Sequence, residues 1–180
     1  MSEVEALLKH YEEFVRLPWK DDLSGAEKVW FVVYDPPQER RIRFRMPEFE
    51  TVTKKARHKW TALDLTDAFA GWMAAHRYHE AYFESPDDLE PALNDFTDMV
   101  VKKIVDLISS PDADKDTVVA IMGLASLFGL TRASAVLEKV TTAIRGRLLV
   151  FFPGRHDGSL YRLLDARDGW NYLAIPIKVE

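Results

Sequence analysis

The loop GLASLFG, residues 123–129, closes the apolar run TVVAIM. Two glycines six apart after a buried strand mark the place where many α/β proteins cradle a phosphate. A Walker A loop needs a lysine after its last glycine to reach the β- and γ-phosphates, then a Ser or Thr hydroxyl for magnesium. Here Leu130 follows Gly129, and Leu124, Leu127 and Phe128 sit inside the loop. The glycine spacing also misses the dinucleotide fingerprint. A cradle lined with leucine and phenylalanine would hold apolar surface against water. The segment therefore reads as a tight apolar turn from strand to helix, and no nucleotide cofactor is expected.

The other titratable groups give no complete catalytic set. Ser126 stands in A-S-L, which is not the G-x-S-x-G of a hydrolase elbow. Asp35, Asp64 and Asp67 lie at or near strand ends, where they could converge on magnesium but more commonly act as loop caps and turn formers. His76-x-x-His79-Glu80 puts two imidazoles on one helical face without the H-E-x-x-H order of a zincin or a third ligand. No metal, cofactor or catalytic residue is expected. The alternative is a cryptic nucleotide-binding or metal-dependent enzyme at the carboxyl ends of the strands.

Binding chemistry is better represented. Trp170 follows a turn in RDGWNY beside Arg167, and an indole next to a guanidinium is a common anchor of protein interfaces. The competing expectation is that Trp170 folds back onto the core. Phe128, in the apolar loop, and Arg155, after the Pro153-Gly154 turn, complete the candidate partner interface. Between Arg40 and Lys59, RRIRFRMPEFETVTKKARHK is rich in cations and offers a possible DNA-contacting face. The net charge of −5 argues against nucleic acid as the main partner, because phosphate contacts need surplus Lys and Arg.

These groups must be held by alternating strands and helices. Ser2 and Glu5 form a capping-box pattern for a helix to Arg16, stopped before Pro18. KVWFVVYD is apolar on both faces, the pattern of an interior parallel strand ended by Asp35-Pro36-Pro37. The basic segment reads as helix, broken or kinked at Pro47. Trp60–Leu65 is a second strand, with Thr66 as N-cap of a helix running DAFAGWMAAHRYHEAYF. Ser85 caps a further helix, with Pro86 in its first position and an inward stripe of Leu89, Leu93, Phe96, Val100, Ile104 and Leu107. TVVAIMG is the third strand, and a helix follows over 131–144. RLLVFFPG is a fourth strand ending at Pro-Gly, and two short strands flank a turn at Asp168-Gly169. Pro176 cannot donate to a ladder, so the last strand belongs at an edge or a bulge. The expected fold is α/β: a single three-layer domain, residues 1–180, with a mostly parallel open sheet of about five strands flanked by helices.

Composition supports a globular chain, with 47% hydrophobic residues. The absence of cysteine removes disulfide frameworks, thiolate nucleophiles and cysteine zinc sites together, which fits a reducing cytoplasm. No stretch approaches the roughly 20 apolar residues of a membrane helix, and the N-terminus lacks a signal pattern. There is no internal repeat, and self-association is left open.

The segments LPW at 17–19, GAEKVWFVVYD, LTDAFAGWM, GLASLFGLTR, GRLLVFFPG and YRLLDARDGWNYLAIPI resemble the BrxB family of bacterial BREX phage-defence systems. The resemblance covers essentially the whole chain, and its last segment is the most distinctive. It implies a cytoplasmic component of a multi-protein defence complex. The implied partners are the PglZ phosphatase-like protein first, then the BREX ATPase and the adenine methyltransferase. The family has no established catalytic motif, so the resemblance assigns no active-site residue. Taken with the lack of a complete catalytic set in the sequence, this leads to the expected function of a non-catalytic adaptor or scaffold.

Overall fold

A complete capping box starts the first helix: Ser2 Oγ accepts from Glu5 N–H, while Glu5 accepts from Ser2 N–H. This helix, α1 (Glu3–Val15), buries Val4, Leu7, Tyr11 and Val15. The computed structural model describes residues 1–167 and 169–179. After a short 3-10 turn, β1 (Val29–Tyr34) is buried at every position. Its side chains divide between two cores, as period-2 alternation in a doubly covered strand requires. Phe31 and Val33 face one core, whereas Trp30, Val32 and Tyr34 face the other.

The basic segment forms one helix, α2 (Glu39–Lys55), with Pro47 inside it rather than opening a second piece. Proline at this position removes one backbone bond. Burial of Ile42 before it, and of Phe49, Val52 and Thr53 after it, holds both halves on the same face of the sheet. Next comes β2 (Lys59–Asp64), then α3 (Ala68–Ala75) and α4 (His79–Glu84). The expected single helix is thus two. His76 adopts an extended ψ of 128°, and its ring Nδ1 accepts from the Tyr78 N–H, replacing a helical bond. Thr66 does not cap α3: its hydroxyl donates to Asp64 instead.

The segment after Ser85 also departs from expectation. Residues Pro86–Ala92 form a 3-10 helix, Ser85 makes no side-chain cap, and α5 (Leu93–Ile108) begins only after Pro91. A proline in an α-helix interior clashes with the carbonyl four residues earlier, and the tighter 3-10 path relieves that clash. Phe96, Val100, Ile104 and Ile108 are the buried stripe of α5. The third strand, β3 (Thr117–Met122), leads through a 3-10 turn, Leu124–Leu127, to α6 (Ala133–Val140).

The fourth strand is longer than its sequence suggested. β4 (Arg147–Asp157) runs through Pro153 and Gly154, which therefore form no turn. Beyond the parallel sheet its last residues pair antiparallel with β5 (Leu160–Leu163), from Gly154↔Leu163 to Asp157↔Leu160. Gly154 permits this close approach, since a Cβ there would stand 2.0 Å from the Arg162 carbonyl oxygen. β5 pairs in turn with β6 (Trp170–Asn171), and β7 (Ile175–Ile177) closes the sheet. Asp168, in the expected turn, lies outside the described residues.

The parallel strands lie in the order β2-β3-β4-β1-β7, with β5 appended antiparallel to β4 and β6 antiparallel to β5. The α/β, mostly parallel architecture matches the expected class. Pro176 falls in β7, the edge strand. One face of the sheet is covered by α1 and α2, the other by α3, α5, α6 and the β5–β6 hairpin.

Candidate interaction surface and the strand ends

The carboxyl ends of β2 and β3 meet through Gly123. This glycine is left-handed, with φ +75°, and a Cβ on it would stand 2.6 Å from Thr66 N and 2.7 Å from Asp64 Oδ1. The glycine is there for the neighbouring β2 loop. The rest of the loop confirms its apolar character, with Leu124 and Leu127 buried in the core.

Asp64 is engaged on both oxygens. Its Oδ2 accepts from Arg43 Nη1 at 2.7 Å. Its Oδ1 accepts from the Thr66 backbone N–H at 3.0 Å and from the Thr66 hydroxyl at 2.6 Å. Arg43 also reaches Glu39 at 2.8 Å, and Glu39 accepts from the Tyr34 hydroxyl. Partial burial pushes the Asp64 carboxyl up, but the hydrogen bonds from Arg43 and Thr66 together outweigh it and hold the group at about 2. Burial and the Glu39 contact push the Tyr34 phenol up.

The other candidate chemistry is dispersed. Asp35 sits across the sheet from Asp64, where its backbone N–H donates to Glu3 at 2.9 Å. His76 and His79 occupy different sides of a helix break, and His79 Nδ1 lies 2.8 Å from the His76 carbonyl oxygen. Among the described residues, no three His, Asp or Glu side chains group as metal ligands.

Three of the four interface candidates come together instead. Phe128, Arg167 and Trp170 line one groove of about 340 Å³ between the start of α6 and the β5–β6 hairpin. Leu163 forms apolar wall, and Arg132, which precedes α6, brings a second guanidinium. Among the described residues neither Arg132 nor Arg167 makes an ion pair, and no acidic side chain lines the groove. Phe128 is 46% exposed.

Trp170 is both wall and core. It is half-buried in β6, with its ring centroid 5.7 Å from Phe152 and 6.2 Å from Phe31. Its indole N–H is buried and finds no partner among the described residues. Arg155 stands apart, in a second cleft with Asp35, Arg162 and Asp165. Sequence reasoning missed Arg132. The only signal was its place at the end of GLTR, just ahead of an apolar helical stripe.

Comparison with curated proteins and with solved structures found no match. A family model does match, from Asp64 to Ile177, so it begins after α1, β1 and α2, which the sequence resemblance also took in. That model is described as BREX protein BrxB; it covers more than half of the 180 residues, and the chain belongs to the BrxB family.

Proposed function

We propose that the protein is a non-catalytic adaptor of a cytoplasmic BREX complex that holds partner proteins, with PglZ first among them. One observation carries this reading. The polar groups at the ends of β2 and β3 are consumed by one another, whereas the groove of Phe128, Trp170, Arg132 and Arg167 presents to solvent apolar walls and two guanidiniums that make no ion pair among the described residues. Membership of the BrxB family supplies the defence setting. Among the described residues no helix is long and apolar enough to cross a membrane.

A groove of this composition suits an apolar side chain accompanied by a carboxylate, since a guanidinium can pair with the acid while the ring buries area. The test is titration of purified PglZ into the protein by calorimetry. Phe128→Ala should weaken association by about 1–3 kcal/mol if it is an anchor. Arg167→Glu, at an exposed side chain, should weaken it too without shifting the melting temperature. Trp170→Ala is the poorer probe, because its packing on Phe152 makes a loss of fold stability part of the result. Full PglZ binding by both Phe128→Ala and Arg167→Glu would move the interface off this groove.

A further inference from the structure

The most exposed aromatic side chain described is on the other side of the sheet. Phe44 on α2 is 83% exposed, although it lies between the buried Ile42 and Phe49 in the same helix. Helical spacing places Arg40 one turn before it and Arg41 three residues before it, on the same outer face. A shallow cleft of about 580 Å³ beside the ring is lined by Pro37, Arg40, Arg41 and Arg45.

The local charge is unbalanced. Three carboxylates close to α2 are already engaged: Glu39 binds Tyr34 and Arg43, Glu48 binds Arg45, and Glu5 closes the Ser2 cap. Among the described residues Arg41 reaches only the neutral Gln38 side chain, at 3.3 Å. Among the described residues Arg40 has no ion pair. A phenyl ring in water beside two guanidiniums that make no ion pair among the described residues is the complement of an acidic segment that carries an apolar side chain.

We propose that this face of α2 is a second docking surface, which takes an acidic segment of a partner protein through Phe44, Arg40 and Arg41. The inference rests on the adaptor reading for the existence of a complex, and goes beyond it in making the protein two-sided. A nucleic acid is the poorer fit. Arg43, Arg45, Lys54 and Lys59 of the same segment are spent on Asp64, Glu48, Glu50 and Asp114, which breaks up any cationic track for a phosphate backbone.

The experiment replaces Phe44 with photoreactive p-benzoylphenylalanine in the tagged full chain, in cells carrying the intact BREX system. After irradiation the adduct is sequenced by mass spectrometry. The expected result is a cross-link to an Asp/Glu-rich segment of a co-purifying protein. Arg40→Glu with Arg41→Glu should cut its yield roughly tenfold or more. Melting temperature should stay that of the parent, because all three side chains are exposed. Co-purifying partners without an adduct at Phe44, an adduct to nucleic acid, or an adduct that survives charge reversal would each overturn the proposal. If nothing co-purifies even with the parent chain, the adaptor reading itself falls, a separate outcome that removes this surface's partner as well.

Discussion

Gly123 shows how a residue can look like ligand chemistry while serving packing. Its left-handed φ and the atoms of Asp64 and Thr66 around its missing Cβ give two independent reasons for glycine. Gly123→Ala should therefore cost about 2–4 kcal/mol of stability, read as a lower urea midpoint at unchanged slope. Gly129 also has a positive φ, of +77°, but nothing lies within 4 Å of its would-be Cβ. Gly129→Ala should lose only the backbone share, about 1 kcal/mol. The sequence displayed both glycines but not the contact that separates them, because the contact is made across the sheet by β2. Asp64 gives a residue-scale test in pH. Its folded value of about 2 lies below the ordinary 3.8, so its contribution is complete above pH 5 and is lost as the pH falls through 4 to 2. The side chain is 42% exposed, and solvent screening limits the contribution to about 1 kcal/mol. Asp64→Asn should therefore melt below the parent at pH 6 and converge with it near pH 2. A constant gap would mean that the Arg43 pair does not hold in solution.

At the scale of elements, α1 and α2 are fixed to each other by a single buried polar contact. Thr53 Oγ donates to the Phe49 carbonyl at 2.7 Å, which uses its only proton, so the Tyr11 hydroxyl, 2.5 Å away, must be the donor between them. Tyr11→Phe should cost about 1 kcal/mol, whereas Thr53→Val, which strands the Tyr11 hydroxyl in the core, should cost more. Equal losses in thermal unfolding would contradict the donor assignment. β1 is the most constrained strand, and Val32→Asp should cost several kcal/mol by burying an unpaired charge between helical layers. Periodicity made β1, α1 and β3 legible in the sequence, because their apolar residues fall on the faces that the sheet buries. It failed where backbone chemistry overrode pattern: Pro91 turned the start of a helix into 3-10, and the His76 ring split another. It failed again at Pro153-Gly154, where a strand continued because β5 gave it a partner that no local signal announces.

At the scale of the whole molecule, the sheet separates two surfaces of similar chemistry. The groove of Phe128 and Trp170 belongs to the layer of α6 and the β5–β6 hairpin, and Phe44 to the layer of α1 and α2. Trp170 and Arg167 were legible in the sequence as an aromatic beside a cation. Phe44 was not, since Ile42, Phe44 and Met46 also alternate as the half-buried face of a strand would, and the outward position of the ring is set by how α2 packs on the sheet. The sheet lies between the two surfaces, and no described residue lines both the groove and the cleft. Substitutions on them should then be independent. Assembly with intact BREX partners should lose one binding energy in Arg40→Glu and another in Arg167→Glu, and the double variant should lose their sum to within about 0.5 kcal/mol. The single variants should also release different proteins from the purified complex. A double variant no weaker than either single one would mean that both arginines serve one continuous interface wrapped around an edge of the sheet, and the two-sided adaptor would give way to a one-partner clamp.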